Sequence, residues 1–144
     1  QTTNAEDLSP AIPPDGHWIA YSSNESGTRQ VYVRPFPETM SAVYQISAMG
    51  GINPKWNRNG RELFFLDGAF SMVSVPVTLG ASAVTGQAQV LFSAARFASN
   101  AYEPQYDVAP DGQHFVMIKE TSDNEVHVVV VSNFLAELKR RFRE

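Results

Sequence analysis

The chain repeats one short phrase three times. Each copy has an Asp-Gly or Asn-Gly turn followed at once by a run of aromatic and aliphatic residues, at Pro14–Tyr21, Arg58–Phe65 and Pro110–Met117. The turn glycines, Gly16, Gly60 and Gly112, lie 44 and 52 residues apart. This spacing is close to the period of roughly 40–50 residues that a β-propeller blade has. The repeat therefore predicts three blades in a chain of 144 residues.

The residues around each glycine predict a strand, a tight turn and a second strand. An apolar residue precedes each glycine by four positions, and others follow at three and five positions, as Leu63 and Phe65 do after Gly60. This alternation puts one set of side chains on one face of the strand, packed on a neighbouring blade. The Asp/Asn-Gly pairs favour hairpin turns in which both residues have positive φ. We therefore assign the turn residues a structural role: Asp15, Gly16, Asn59, Gly60, Asp111 and Gly112.

Further alternating segments complete the predicted blades. Third strands are predicted at residues 30–34, 71–75 and 126–131, and outer strands at 43–47 and 89–92. The blades then occupy residues 9–48, 53–93 and 104–131 of a single segment, and the last blade lacks its outer strand. A short C-terminal α-helix is predicted at residues 133–142, with Asn133 as N-cap and an apolar stripe. The expected fold class is all-β: about three four-stranded antiparallel blades, forming a partial or half six-bladed propeller.

Three blades cannot close a ring, because propellers typically have 4–8 blades. The exposed blade faces and strand edges would favour pairing with another chain. One alternative is that the segment belongs to a larger propeller. The other is a homodimer that completes a six-bladed ring, in which residues 1–8 of one chain add a strand to the third blade of its partner.

The charge distribution narrows the possible partners. The net charge is −4, and residues 133–144 hold four cationic and two acidic side chains, so the rest of the chain carries −6. An acidic body repels phosphate backbones, so we expect no nucleic-acid binding. No apolar run approaches the roughly 20 residues that span a bilayer, so no membrane contact is expected. The absence of cysteine excludes disulfides and thiolate chemistry and leaves the compartment open.

The segment Ser9–Ser22 strongly resembles the WD40-like repeat of the TolB-type propeller family. The family's serine before Pro-Asp-Gly is replaced by Pro13, Asn57 and Ala109 in the three copies. The stretch Val128–Arg141 resembles the end of propellers in large bacterial proteins, some with a kinase or transcriptional-regulator domain. The resemblance implies a six-bladed propeller for protein recognition or sensing and no catalytic residue in this segment. The compartment stays open between cytoplasmic and extracytoplasmic.

The residues themselves indicate no catalytic or metal centre. His17, His114 and His127 share neither a repeat position nor the i,i+4 spacing of a helical metal site. The sequence has no Gly-x-Ser-x-Gly elbow and no Gly-rich phosphate-binding loop. Nine aromatic residues, Phe70 among them, fit packing between blades. We therefore expect no catalytic residue, no metal and no cofactor.

The binding candidates lie where propeller loops share a rim. Loops that enter the inner strands and loops that join second to third strands lie at one end, and rigid scaffolds often carry function on such loops. The candidates are Asn53, Lys55, Asn100, Tyr102 and Glu103. The expected function is non-catalytic recognition of a protein or peptide. Alternatives are an accessory gating propeller of a prolyl-oligopeptidase-type serine peptidase and a small carbohydrate-active enzyme.

Overall fold

The computed structural model of the chain describes residues 5–38 and 40–132. All regular structure in these residues is β-strand, which confirms the all-β prediction, and the strands form antiparallel sheets. The helix predicted at residues 133–142 lies outside the described residues. The strands are β1 Asp7–Ala11, β2 Trp18–Ser23, β3 Gln30–Pro35, β4 Tyr44–Gln45, β5 Ile52–Trp56, β6 Glu62–Leu66, β7 Ser71–Leu79, β8 Ala83–Thr85, β9 Gln89–Ser93, β10 Tyr106–Val108, β11 His114–Glu120 and β12 Val126–Ser132.

Blade 1 consists of β1 to β4 in sequential order. Its first strand begins at Asp7, and Asp7 and Leu8 pair with Ser23 and Ser22 of the same chain. The hypothesis that residues 1–8 add a strand to a partner is therefore wrong for these two residues, because their backbone already belongs to blade 1. The outer strand is shorter than predicted and contains only Tyr44 and Gln45.

Blade 2 is larger than predicted. Strand β7 extends to Leu79, where a tight connection returns the chain as β8, paired with residues 77–79. After Gly86, whose N–H donates to the carbonyl of Pro76 at 2.8 Å, β9 pairs with residues 71–74 of β7. The outer strand of this blade is thus split into β8 and β9. The sequence predicted β9 and missed β8.

Blade 3 consists of β10, β11 and β12. Seven residue pairs join β11 to β12, from His114–Ser132 to Glu120–Val126. In the described part of the chain no strand pairs with the outer edge of β12, as the sequence analysis expected for an incomplete last blade.

The core lies in two layers, one on each side of blade 2. Leu63 and Phe65 pack with Trp18 and other residues of blade 1. Phe64, from the opposite face of β6, packs with Phe115 of blade 3, their rings perpendicular and 4.9 Å apart. Burial of such side chains stabilises the fold by about 1.5–3 kcal/mol each. Because side chains alternate along β6, one face of this strand packs against blade 1 and the other face packs against blade 3.

The three repeated turns have one geometry. Each glycine N–H donates to the carbonyl three residues earlier, at 2.8–3.0 Å. Asp15, Asn59 and Asp111 each accept a hydrogen bond at Oδ1 from the N–H two residues later. Only the glycine of each pair has positive φ, between 68° and 72°. The expectation of positive φ at both residues was wrong, because the Asp or Asn is position i+2 of a type I turn, where φ is negative, and the glycine follows at position i+3.

Candidate functional site

Six segments gather at the end of the blades where the inner strands begin. We call this end the entry rim; its described segments are residues 5–6, 24–29, 46–51, 67–70, 94–105 and 121–125. Two backbone hydrogen bonds tie neighbouring loops together. Gly51 N–H donates to the Arg29 carbonyl, and Gly68 N–H donates to the Met49 carbonyl, both at 2.9 Å. The loops of blades 1 and 2 thus form one connected surface.

A cleft of about 380 Å³ opens between these loops. Its walls come from the β2–β3 loop, the entry to β5, the β6–β7 turn and the entry to β10. The lining residues are Thr28, Arg29, Gly50, Gly51, Ile52, Asp67, Gly68, Phe70, Ser99, Asn100 and Ala101. Apolar, cationic, anionic and amide groups therefore converge on one space.

Phe70 is the aromatic residue in this cleft, and its side chain is 43% exposed. It closes the β6–β7 turn, with its N–H donating to the Asp67 carbonyl at 3.0 Å. Gly27 and Asn124 close the corresponding turns of blades 1 and 3 by the same hydrogen bond. All three residues have positive φ, and for Phe70 the angle is 59°. That conformation suits glycine or asparagine and costs a bulky residue roughly 1–2 kcal/mol.

The side chain of Asp67 holds this strained turn in place. Its Oδ1 accepts hydrogen bonds from the N–H groups of Ala69 at 3.0 Å and Ser71 at 2.9 Å. The sequence analysis assigned Phe70 to the core, because aromatic residues usually pack there. The signal that it missed is positional: an aromatic residue stands where the other two blades have glycine and asparagine.

The entry rim is acidic. Its described segments carry six carboxylates, Glu6, Glu25, Asp67, Glu103, Asp123 and Glu125, and two cations, Arg29 and Arg96. Arg29 is paired with Glu6 at 2.7 Å between Nη2 and Oε2. The excess negative charge favours approach of a cationic group and disfavours an anionic one.

Three of the predicted binding residues lie in the long loop before β10. Asn100 lines the cleft, and its Oδ1 accepts a hydrogen bond from the Tyr102 N–H at 2.9 Å. Tyr102 is 63% exposed, and Glu103 is also exposed. Both belong to the entry rim, but neither lines the cleft itself.

The other two predicted residues belong to β5. Asn53 is fully buried at a bulge, with φ of 55°. Its Oδ1 accepts from Ser9 Oγ at 3.2 Å, and its carbonyl accepts from the Tyr106 hydroxyl at 2.5 Å. Lys55 forms an ion pair with Asp107, with 3.5 Å between Nζ and Oδ1. These contacts join the inner strands of the three blades, and neither residue lines the cleft.

Burial also sets the protonation state of Tyr106, whose hydroxyl contacts Asn53. The pKa of Tyr106 is raised far above its usual range, chiefly by desolvation and secondly by the nearby Asp107 carboxylate. The phenol therefore stays neutral and remains a hydrogen-bond donor to Asn53. The Nδ2 atom of Asn53 has no hydrogen-bond partner among the described residues.

The described residues form neither a metal-type cluster of side chains nor a membrane-spanning helix. Within residues 5–38 and 40–132, no three His, Asp or Glu side chains come together as a metal site would require. The described part of the chain also contains no helix that could span a bilayer.

A second cleft, of about 540 Å³, lies at the opposite end of the blades. We call this end the turn rim, because it carries the three Asp/Asn-Gly turns. The cleft is lined by Pro13, Pro14, Asp15, Asn59, Gly60, Arg61, Val77, Thr78 and Leu79. The Oδ1 atoms of Asp15 and Asn59 are already engaged within their own turns.

Comparison with solved structures identifies the fold. TolB from Acinetobacter baumannii matches with a TM-score of 0.62 and 14% identity over 88% of this chain. An oligogalacturonate lyase from Vibrio parahaemolyticus matches with 0.65 and 12% over 93%, and a putative TolB from Agrobacterium tumefaciens with 0.61 and 14% over 92%. No protein-family model matches the chain, and no curated protein matches its sequence.

These neighbours are β-propeller proteins, and the chain has a propeller-type all-β fold. More particularly, that fold is TolB-like. The chain spans 30% of the A. baumannii structure, 40% of the lyase and 47% of the A. tumefaciens structure. At identities of 12–14% the likeness shows the fold alone.

Proposed function

We propose that this chain is a non-catalytic recognition module that binds a protein or peptide segment at its entry rim. The observation that carries the proposal is Phe70. This residue is 43% exposed and lines the cleft, although its backbone is held at a φ that glycine or asparagine would adopt more easily. Strained backbone tends to cluster at binding and catalytic sites. Partly exposed aromatic rings are frequent anchors at protein interfaces.

The charge of the entry rim favours a basic partner. The described loops carry six carboxylates and only two cations. Tyr102 adds a second exposed aromatic ring. A lysine or arginine side chain could lie over an aromatic ring while its charge is balanced by nearby carboxylates. The proposed ligand is therefore an exposed peptide segment with cationic residues.

Selection from a random peptide library displayed on phage, with the immobilised chain as bait, tests the proposal. We expect enrichment of peptides rich in Lys and Arg. Phe70→Gly should weaken the binding of selected peptides at least about tenfold, since loss of a hot-spot anchor typically costs about 2 kcal/mol or more. Thr78→Ala, at the turn rim, is the matched control and should bind normally. Equal binding by the Phe70→Gly variant would contradict the proposal.

A second set of variants tests how much the carboxylates of the entry rim contribute to peptide binding. Replacing Glu25 and Glu103 together by glutamine should weaken binding of the selected peptides and reduce its dependence on salt, since fewer charges act on the ligand. Glu38→Gln removes a carboxylate at the turn rim and should change neither quantity. If the double variant of Glu25 and Glu103 binds the peptides as the parent does, with the same salt dependence, the acidic entry rim does not determine peptide binding.

The likeness to an oligogalacturonate lyase makes a sugar-cleaving activity the alternative to test. A lyase breaks a bond by elimination and leaves a double bond in its product. Incubation of the chain with oligogalacturonate, followed by absorbance of the unsaturated product, tests it directly. Product formation above the buffer rate would overturn the non-catalytic proposal.

A further inference from the structure

Asp67 lies at the junction of two clefts. It lines the cleft of about 380 Å³ that contains Phe70, which we call the entry-rim cleft, and it also lines a smaller cleft of about 190 Å³, which we call the side cleft. Gly50 is the other residue that both clefts share. Loops of blades 1 and 2 contribute walls to both clefts. A ligand that reaches from one cleft into the other therefore contacts Asp67 and Gly50.

One carboxylate oxygen of Asp67 is available to a ligand. Its Oδ1 accepts hydrogen bonds from the N–H groups of Ala69 and Ser71, whereas its Oδ2 has no partner among the described residues. Arg29, the cation that lines the entry-rim cleft, pairs with Glu6 instead. Its guanidinium donates to the Glu6 carboxylate at 2.7 Å and to the Glu6 carbonyl at 3.2 Å. Within the described residues, Asp67 is therefore an unpaired negative charge in the wall of both clefts.

Asp67 and Phe70 together suit a cationic side chain. They are the first and last residues of one turn, joined by the hydrogen bond from the Phe70 N–H to the Asp67 carbonyl, and both line the entry-rim cleft. A lysine or arginine that enters this cleft meets the free Oδ2 atom and an aromatic ring. Hydrogen bonds to a charged group are about twice as strong as those between neutral groups. The two contacts therefore favour a cation over an uncharged side chain of the same size.

The side cleft suits an apolar side chain. Its larger apolar walls are Ile46, Met49, Phe65, Val73 and Val90. Met49 and Val90 are 80% and 58% exposed, so this cleft offers apolar surface that a ligand can cover. Pockets for whole small molecules have roughly 300–1,000 Å³. At about 190 Å³ the side cleft is smaller, and it fits a single side chain.

We propose that the entry rim recognises two side chains of one peptide: a cation at Asp67 and Phe70, and a large apolar side chain in the side cleft. The inference rests on the recognition function proposed above, and it names the ligand motif and the residue that selects it. Because the two clefts share Asp67 and Gly50, the two side chains belong to adjacent residues of the ligand. The motif is a basic residue next to a large apolar one.

Blocked dipeptides test the motif without a prior selection. Acetyl-Lys-Leu-amide and acetyl-Leu-Lys-amide are titrated into the isotope-labelled chain and followed by NMR. We expect at least one of them to shift the amide signals of Ala69 and Ser71, whose N–H groups donate to Asp67. Replacing its lysine by norleucine, which keeps the carbon chain and removes the charge, should weaken binding about tenfold. Replacing its leucine by alanine should also weaken binding.

Asp67→Asn tests the contact with the cation. Asparagine keeps an Oδ1 acceptor for the turn, as Asn59 does in blade 2, but carries no charge. The variant should lose the preference for lysine over norleucine, whereas a merely damaged turn would weaken both probes alike and keep the preference. Asp15→Asn is the matched control, because it makes the same exchange in a turn at the turn rim. It should bind both probes as the parent does.

Val90→Asn tests the side cleft. It places a polar side chain in the apolar wall and should reduce the preference of the chain for leucine over alanine in the dipeptide that binds. Val84→Asn is the matched control, because Val84 is similarly exposed, at 61%, on a neighbouring outer strand and lines neither cleft. It should leave the preference unchanged.

Three results would overturn the inference. The first is that neither dipeptide binds at millimolar concentrations. The second is that Asp67→Asn keeps the full preference for lysine over norleucine, and the third is that Val90→Asn keeps the full preference for leucine over alanine. In the last two cases Phe70→Gly separates the two proposals. Weaker binding by that variant would still support the recognition function, whereas binding equal to that of the parent would contradict both.

Discussion

Gly112 lies directly against the side-chain amide of Asn57, so the turn of blade 3 rests on the turn of blade 2. A Cβ atom at Gly112 would lie 2.6 Å from Asn57 Oδ1 and closer still to Nδ2. The amide cannot withdraw freely, because Nδ2 donates to Glu62 Oε1 at 3.0 Å and Oδ1 accepts from the Asn59 N–H at 3.3 Å. Position 112 therefore requires glycine for two reasons: its φ is 68°, and a Cβ atom would overlap the Asn57 amide.

Gly112→Ala should destabilise the chain more than the same change at Gly16. Gly16 has nearly the same φ, 72°, but a Cβ there would meet no atom within 4 Å. We expect about 1–2 kcal/mol for Gly16→Ala from backbone strain alone. For Gly112→Ala we expect about 1–3 kcal/mol more, from overpacking against Asn57. Urea denaturation of both variants gives the comparison, and equal losses would disprove the proposed contact.

A double-mutant cycle isolates the contact itself. In an Asn57→Ala background the amide is gone, so Gly112→Ala should lose only the backbone penalty. The coupling energy should be at least about 1 kcal/mol, as expected for residues in direct contact. Additive effects would mean that Asn57 is not the obstacle.

The backbone strain at Phe70 gives a second prediction. Phe70→Ala and Phe70→Gly remove the same ring, but only glycine relieves a φ of 59°. The glycine variant should therefore be more stable than the alanine variant, because the left-handed conformation costs alanine about 1–2 kcal/mol, which exceeds the roughly 0.5–1 kcal/mol of entropy that glycine loses on folding. Thermal and urea denaturation measure the difference. An alanine variant at least as stable as the glycine variant would show that the turn is not strained.

The turns were predictable because their determinants are local. An Asp or Asn side chain reaches the N–H two residues later without help from other blades, as at Asp111 and Gln113. The alternation in β6 likewise indicated which face of the strand would meet a neighbour. The general form of each blade thus followed from a few adjacent residues.

The site was less predictable, because it depends on distant residues. Asn53 was expected at the rim, but a bulge between Ile52 and Lys55 turns it into the interior towards Ser9 and Tyr106. A bulge depends on the register between two strands, and a single sequence does not show it. The exposure of Phe70 similarly depends on loops that lie about 20–40 residues away in sequence, at Arg29 and Gly50.

Asp111 provides a third prediction, on the acid side. The pKa of its carboxyl is lowered from 3.8, first by the hydrogen bond from the Gln113 N–H and then by the contact with His114, at 2.6 Å between Oδ2 and Nδ1. A lowered folded-state pKa contributes stability above the unfolded-state pKa, and this contribution is lost as the pH falls through the folded-state value.

Asp111→Asn should therefore be less stable than the parent at pH 6–7 and equal to it at about pH 2. Asparagine keeps the turn, since Asn59 makes the same hydrogen bond in blade 2. Urea midpoints between pH 2 and pH 7 measure the convergence. Asp15→Asn, at the same turn position in blade 1, is the matched control for exchanging a carboxylate for an amide in this turn. A constant offset across this pH range would contradict the assigned cause.

Tyr106 provides the last prediction, on the alkaline side. Its buried hydroxyl donates to the Asn53 carbonyl, and burial raises its pKa far above 10. A raised folded-state pKa gives stability that is complete below the unfolded-state pKa, near 10, and is lost as the pH rises beyond it. Tyr106→Phe should cost about 1–2 kcal/mol at pH 7, because a buried carbonyl loses its donor. The parent's advantage should then shrink between about pH 10 and pH 11.5.

Urea midpoints from pH 7 to pH 11.5 test this, with Tyr102→Phe as the control. Tyr102 is 63% exposed, so loss of its hydroxyl should change the free energy of unfolding by less than about 0.5 kcal/mol at pH 7. Because Tyr106 reaches from blade 3 to an inner strand of blade 2, its variant also reports on how firmly the two blades are joined. If Tyr106→Phe were as stable as the control variant at pH 7, the hydroxyl would not contribute to that contact.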